Sequence, residues 1–196
     1  MKKGLIGIII AAAIVLGAFI WVKNGYNKMV VSDENVQAAW SQVENVYQRR
    51  ADLIPNLVAT VKGYAAHEAQ TLENVVAARA KATQVTVDPS DLTPEALAKY
   101  NAAQGELSAA LGKLLMITEN YPDLKANQNF LELQAQLEGT ENRITTERMK
   151  FNDTAKSYNT LIRTFPNNIL AFVFNFEKKG YFEAQAGAET APKVEF

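Results

Sequence analysis

The chain has no cysteine and a single histidine, His67. The first absence removes disulfides, thiolate metal ligands and cysteine nucleophiles together. The second rules out a histidine facial triad and the paired Glu-x-x-His ligands of di-iron bundles. A dominant charge sign is missing too: 20 lysines and arginines face 21 aspartates and glutamates, for a net charge of −1, with the bases dispersed among the acids. No basic footprint for nucleic acid is present. Alternating strand patterns are absent apart from the ambiguous residues 85–87.

What is present begins with residues 5–22 (LIGIIIAAAIVLGAFIWV), a run without charge, amide or hydroxyl. At ~1.5 Å per residue it makes a helix of roughly 27 Å, close to the ~30 Å hydrocarbon thickness of a bilayer. A cleaved secretory signal would end in a small-x-small site, whereas this run ends Phe19, Ile20, Trp21, Val22, Lys23. The reading is therefore a retained transmembrane helix after a short segment at residues 1–4. Trp21, Lys23 and Tyr26 are its interfacial anchors. Lys2, Lys3 and the amino terminus before the run, against Lys23 and Lys28 after it, lean slightly toward a cytoplasmic N-terminus with the rest of the chain outside.

About 170 residues follow, enough for one domain with one core. Ser32 and Asp33 are candidate N-caps. Beyond them Val36, Val43, Leu57 and Tyr64 recur on sevens, interleaved with Trp40, Tyr47, Ile54, Val61 and Val75, predicting one apolar stripe from Val36 to Val75. Pro55 lies within it and predicts a kink near Asp52. Asp88, Pro89, Ser90 and Asp91 mark a loop over residues 84–93. Thr93 then caps a second helix with Pro94 at its first position, stopped by Asn120, Tyr121 and Pro122. In a third helix Phe130, Leu137, Ile144, Phe151, Tyr158 and Phe165 stand at strict spacings of seven. Such repeats on long segments joined by short turns specify an all-α fold, a long antiparallel coiled-coil-like bundle of about four helices over residues 23–182.

Several strings in this pattern closely resemble the LemA family: Asp33-Glu-Asn-Val-Gln-Ala-Ala-Trp40, Tyr47-Gln-Arg-Arg-Ala-Asp-Leu-Ile-Pro-Asn-Leu-Val58, Thr60 to Glu68, and Ala78-Arg79-Ala80. So do Glu119 to Asn127 with Phe130, Thr140-Glu-Asn-Arg-Ile144, Tyr158-Asn159, and Phe165-Pro-Asn-Asn168. The resemblance runs from the apolar segment to about Phe182. It implies a single-pass protein of the bacterial inner membrane with a helical-bundle body. It implies no activity and no cofactor, and some members are tied to organising intracellular membranes.

Polar residues that interrupt the stripes are the candidate site. Arg50 continues the Val36, Val43 series and Glu68 the Ile54, Val61 series, with Asp52 and His67 nearby. A charge on such a face must be paired, because its desolvation costs several kcal/mol. Arg50 and Glu68 are expected to pair across helices with Glu141, Glu147, Arg143 or Arg148, making a structural polar centre of Arg50, Asp52, Glu68, Glu141 and Arg148. The sharper alternative is a ligand pocket or cation site at Asp52, Glu68 and Glu141. A His67–Glu68 general base is weaker still, without a nucleophile or a His-Glu-x-x-His motif.

Residues 169–176 (ILAFVFNF) are apolar on nearly every face. They predict a short closing helix that caps the bundle base, or else one whose Phe172, Phe174 and Phe176 touch the membrane surface or a neighbouring copy. From Glu183 onward the composition predicts a flexible tail over residues 183–196. Without a convergent nucleophile, base and oxyanion set, an enzyme is the third choice. Ahead of it stand a membrane-anchored scaffold or adaptor that self-assembles on the bilayer, and a ligand-binding or regulatory subunit of a membrane enzyme that uses the polar centre.

Overall fold

The computed structural model describes residues 2–183, with side chains from residue 4. The expected tail over 183–196 thus lies outside the described residues, save Glu183. Six α-helices follow one another without a strand among the described residues: α1 Lys2–Tyr64, α2 Ala69–Gln84, α3 Pro94–Thr118, α4 Pro122–Lys125, α5 Gln128–Arg163 and α6 Asn167–Val173.

The apolar run and the first bundle stripe belong to the same helix. α1 has 63 residues, roughly 95 Å at the usual rise. Ser32 and Asp33 therefore cap nothing, because the backbone around them is already helical and every local amide has its ladder partner. Asp33 instead accepts from Gln37 Nε2 (2.8 Å) and faces Lys179 Nζ (3.0 Å).

α1 also continues through Pro55. Proline has no N–H, so the carbonyl of Ala51 loses its i+4 donor. Arg79, reaching across from α2, supplies a replacement: its Nε donates to Ala51 O at 2.7 Å. This bond satisfies a carbonyl that would otherwise be orphaned. Arg79→Met is expected to destabilise the bundle by about 1 to 2 kcal/mol. With Pro55→Ala in place, a backbone N–H returns at position 55 and the same substitution becomes nearly neutral. Unfolding of the four proteins of this cycle measures the coupling; an Arg79→Met cost equal in both backgrounds removes the explanation.

The stripe expected from Val36 to Val75 is broken after Tyr64. Ala65 leaves the helical region (φ −125°, ψ 53°), a 3-10 turn occupies Ala66–Glu68, and α2 starts in a new register. Gly63, with no side chain to pack and low helix propensity, weakens the end of α1. The chain then reverses, and Val75 stays buried through the packing of α2 rather than by extension of α1.

α2 ends as expected at Gln84, and Thr93 caps α3 by accepting from Ala96 N–H at 3.3 Å, with Pro94 at N1. Asn127 caps α5 by accepting from Phe130 N–H at 3.0 Å. α1 and α5 run antiparallel along the whole bundle, while α2 and α3 form a second antiparallel pair against α1. The heptad residues Phe130, Leu137, Ile144, Phe151 and Tyr158 are buried, but Phe165 is 76% exposed because α5 has ended at Arg163.

The core falls into two apolar clusters. Nearer the span, Met29, Val36, Trp40, Val43, Tyr47, Tyr100, Phe151 and Tyr158 pack together. Farther out, Ile54, Leu57, Val61, Leu72, Leu107, Leu114 and Phe130 form the second.

Candidate functional site

Between the clusters lies Arg50, 1% exposed. Its Nη1 donates to Ser108 Oγ (2.7 Å) and Glu141 Oε1 (2.9 Å). Its Nη2 donates to the side-chain oxygen of Gln104 (2.6 Å) and to Gln104 O (3.2 Å). Nε alone among the guanidinium donors has no partner among the described residues. The guanidinium also lies over the Tyr47 ring, 5.0 Å from its centroid. α1, α3 and α5 are thus joined at one level by a single planar, five-donor group. Burial pushes the Tyr47 phenol above its ordinary range, opposed by the charges of Arg148 and Arg50. Tyr100 is raised chiefly by burial and then by Tyr47 and Glu44. Both phenols stay neutral at physiological pH.

Of the residues expected in the polar centre, only Arg50 and Glu141 meet. Glu68 is carried out of register by the break after Tyr64. Half-buried at the 3-10 turn, it accepts from the Tyr121 hydroxyl at 3.0 Å, a bond that raises the phenol's pKa. Asp52 is exposed on α1 and accepts from Gln48 Nε2 at 2.8 Å. Arg148 donates to Glu183 O at 3.1 Å and lies 4.6 Å over the Phe182 ring. No cluster of three metal-ligating carboxylates or histidines occurs among the described residues, so Asp52, Glu68 and Glu141 do not form the cation site weighed above.

The second region is the root of the span. Trp21 and Lys23 are exposed there, whereas the Tyr26 ring meets Phe174 and Phe176 edge-on at 4.9 and 5.8 Å. Phe176 is half-buried against the core and Phe172 is 85% exposed, so the three phenylalanines do not share one face.

The LemA family model matches residues 39–196, beginning within α1 beyond the apolar run. The chain belongs to the LemA family. Magnetosome protein MamQ 1 of Paramagnetospirillum magneticum is 29% identical over 182 residues, covering 84% of this chain and 67% of its own. Magnetosome protein MamQ of Magnetospirillum gryphiswaldense is 28% identical over 209 residues, covering 97% and 77%. Protein LemA of Metamycoplasma hominis is 26% identical over 170 residues, covering 86% and 74%.

In this LemA-family bundle, sequence reasoning missed the segment after α6. Residues 176–183 form a strap without regular secondary structure laid along α5. Asn159 Nδ2 donates to Lys179 O (2.8 Å) while its Oδ1 accepts from Lys179 N–H (2.9 Å). Asn152, seven residues earlier, holds Phe182 in the same two-bond manner, both at 2.9 Å. Gly180 N–H donates to Leu92 O at 2.8 Å, and a Cβ there would stand 2.8 Å from Pro94 Cα, so only glycine fits. The available signal was a pair of asparagines seven residues apart, each directly following a residue of the apolar heptad series, Phe151 and Tyr158.

Proposed function

We propose that the protein is a membrane-anchored, non-enzymatic scaffold or adaptor that holds a long helical face above a bacterial inner membrane and self-assembles there. The observation that carries this reading is the continuity of α1, whose apolar span and bundle core stripe are one 63-residue helix. Without a hinge between them, the bundle's height and azimuth above the bilayer follow from the span. That geometry suits presentation of a surface rather than turnover of a substrate. Residues 5–22 support the anchor, being long and apolar enough to cross a membrane and unburied by the bundle. In this reading the N-terminus is cytoplasmic and the bundle outside, the orientation toward which Lys2, Lys3 and the amino terminus lean against Lys23 and Lys28. The MamQ relatives are magnetosome proteins; the corresponding reading here is a subunit of a larger membrane assembly, with copies of itself and other membrane proteins as partners.

The surface assigned to self-association is the mainly apolar groove between α1 and α2 at the far end of the bundle, about 400 Å³, lined by Val58, Leu72, Val76 and alanines together with Lys62 and Glu73. Its centre lies roughly 55 Å along α1 from the end of the span, clear of the bilayer. Mass photometry of the protein extracted in mild detergent is expected to give a homogeneous particle of many copies. Val76→Glu, at a position 51% exposed in the single chain, should shrink that particle while leaving helical content unchanged. A wild-type monomer at micromolar concentration overturns the self-assembly reading. It would promote the regulatory-subunit alternative, whose proposed binding centre is weakened by the commitment of Arg50 to Gln104, Ser108 and Glu141.

A further inference from the structure

We infer that α6 is a membrane-surface foot: Phe165, Ile169, Phe172 and Val173 insert into the lipid headgroup and upper acyl region beside the root of the span. The inference rests on the anchor and is independent of self-assembly.

The height of α6 comes first. Leu170 and Ala171 are buried, and Leu170 Cδ1 sits where a Cβ on Gly25 would be, 2.5 Å from that ideal position. Glycine at 25 thus lets α6 lie directly on α1. Val22, the last residue of the apolar run, packs against the same cluster as Leu170 and Ala171. Between Val22 and Tyr26 α1 rises only ~6 Å. The interfacial layer on each side of the hydrocarbon is itself roughly 5 to 7 Å thick. α6 is therefore fixed at headgroup depth by packing against the helix that enters the bilayer.

Its orientation comes second. With Leu170 and Ala171 both turned inward, residues 169, 172 and 173 fall around the side of the short helix opposite that pair. Ile169 is 50%, Phe172 85% and Val173 60% exposed, and Phe165 before the helix is 76% exposed. α6 carries no charged residue, only Asn167 and Asn168 at its start. An uncharged helix with bulky apolar side chains facing away from its own core is costly in water and favourable in an interface.

The chain then secures this arrangement from the other end. Asn175 adopts a left-handed conformation (φ 56°), Phe176 N–H donates to Ala171 O (2.9 Å) and Phe174 N–H to Leu170 O (2.9 Å). This is the Schellman termination of a helix, with asparagine in the position usually given to glycine. It turns Phe174 and Phe176 back onto Tyr26. The aromatic cluster thus ties α6 to the span, while the residues left over face outward at bilayer height. A second copy could cover the same face, but the continuity with the apolar span, which is itself unburied, favours lipid as the occupant.

The cysteine-free sequence makes the test direct. Phe172→Cys, Ile14→Cys within the span and Met116→Cys on distant α3 are each made in the full chain and nitroxide-labelled. The proteins are then reconstituted in vesicles of phosphatidylethanolamine and phosphatidylglycerol. Collisions with oxygen and with a water-soluble nickel complex report depth. The label at 172 is expected to favour oxygen over nickel several-fold, shallower than the label at 14, while the label at 116 favours nickel. A label at 172 as nickel-accessible as that at 116, with the label at 14 in lipid, overturns the foot and leaves the anchor standing. A label at 14 outside the bilayer overturns both. Low collision with either reagent at 172, together with dipolar broadening between labels, means that a second copy covers α6 and overturns lipid insertion.

Discussion

Arg50→Ala is expected to cost the bundle about 3 to 5 kcal/mol, the largest single effect of any polar substitution. The loss has two parts. Truncation leaves a void between the two apolar clusters, and buried voids of this size destabilise by lost contacts. It also strands the partners. Gln104, 7% exposed, loses the donor at 2.6 Å from its side-chain oxygen, and Ser108 loses its own at 2.7 Å. Glu141 suffers less, because at 41% exposed it turns to water. For the same reason Glu141→Ala should cost less than Arg50→Ala, its main effect being a guanidinium without its carboxylate. The decisive comparison is Arg50→Met with Gln104→Leu, which fills the space and removes the stranded amide together; most of the lost stability should return. Thermal unfolding of the full chain in detergent measures all three, with a shift of roughly 6 to 20 °C for the single alanine variant. A shift under about 2 °C would mean that the layer is hydrated and that α1, α3 and α5 are held in register by their apolar faces alone.

That layer shows what a sequence of this kind makes legible. Arg50 occupies a heptad position between Val43 and Leu57, and a charge on such a face needs a partner on a facing helix; the structure supplies Glu141. Thr93 and Pro94 were equally readable, because a cap and a first-turn proline act within a few residues. Glu68 occupies a heptad position by the same count, yet stands elsewhere. The count assumed an unbroken helix, and only Gly63 hinted that α1 would stop after Tyr64 while the apolar spacing carried on into α2. Pro55 points to a bend rather than an end, and α1 does run on through it. Its consequence depends on Arg79, 24 residues later in the chain, and whether a distant donor will reach a freed carbonyl is a tertiary fact. At the other end, the uniformly apolar residues 169–176 concealed a division of labour. Leu170 and Ala171 face the bundle, Phe174 and Phe176 face Tyr26, and Phe172 faces outward, because a Schellman turn at Asn175 splits the segment in two.

Phe182→Ala is expected to destabilise the protein by about 3 to 5 kcal/mol, as much as a core aromatic of a helix, although it stands in a segment without regular structure. Phe182 is 6% exposed. Its ring stacks on Trp40 (5.9 Å, 16°), meets Phe151 edge-on (5.5 Å) and lies under the Arg148 guanidinium (4.6 Å). In the half of the bundle nearer the span α2 has already ended, so α1, α5 and Tyr100 at the start of α3 would leave Trp40 open on one side. The strap closes that side, and Asn152 and Asn159 satisfy its main-chain groups in place of a neighbouring strand. Loss of the ring therefore unseats two aromatic partners and frees the backbone that Asn152 holds. Trp40 makes the change visible: its fluorescence should shift to the red and become accessible to iodide in Phe182→Ala, with Trp21, at the end of the apolar run, reporting no change. Asn152→Leu should give the same spectral signature with a smaller loss, about 1 to 3 kcal/mol, by leaving the Phe182 amide and carbonyl unpaired. If Phe182→Ala melts within about 2 °C of the wild type and Trp40 stays shielded, the strap is an ornament on a bundle already complete without it.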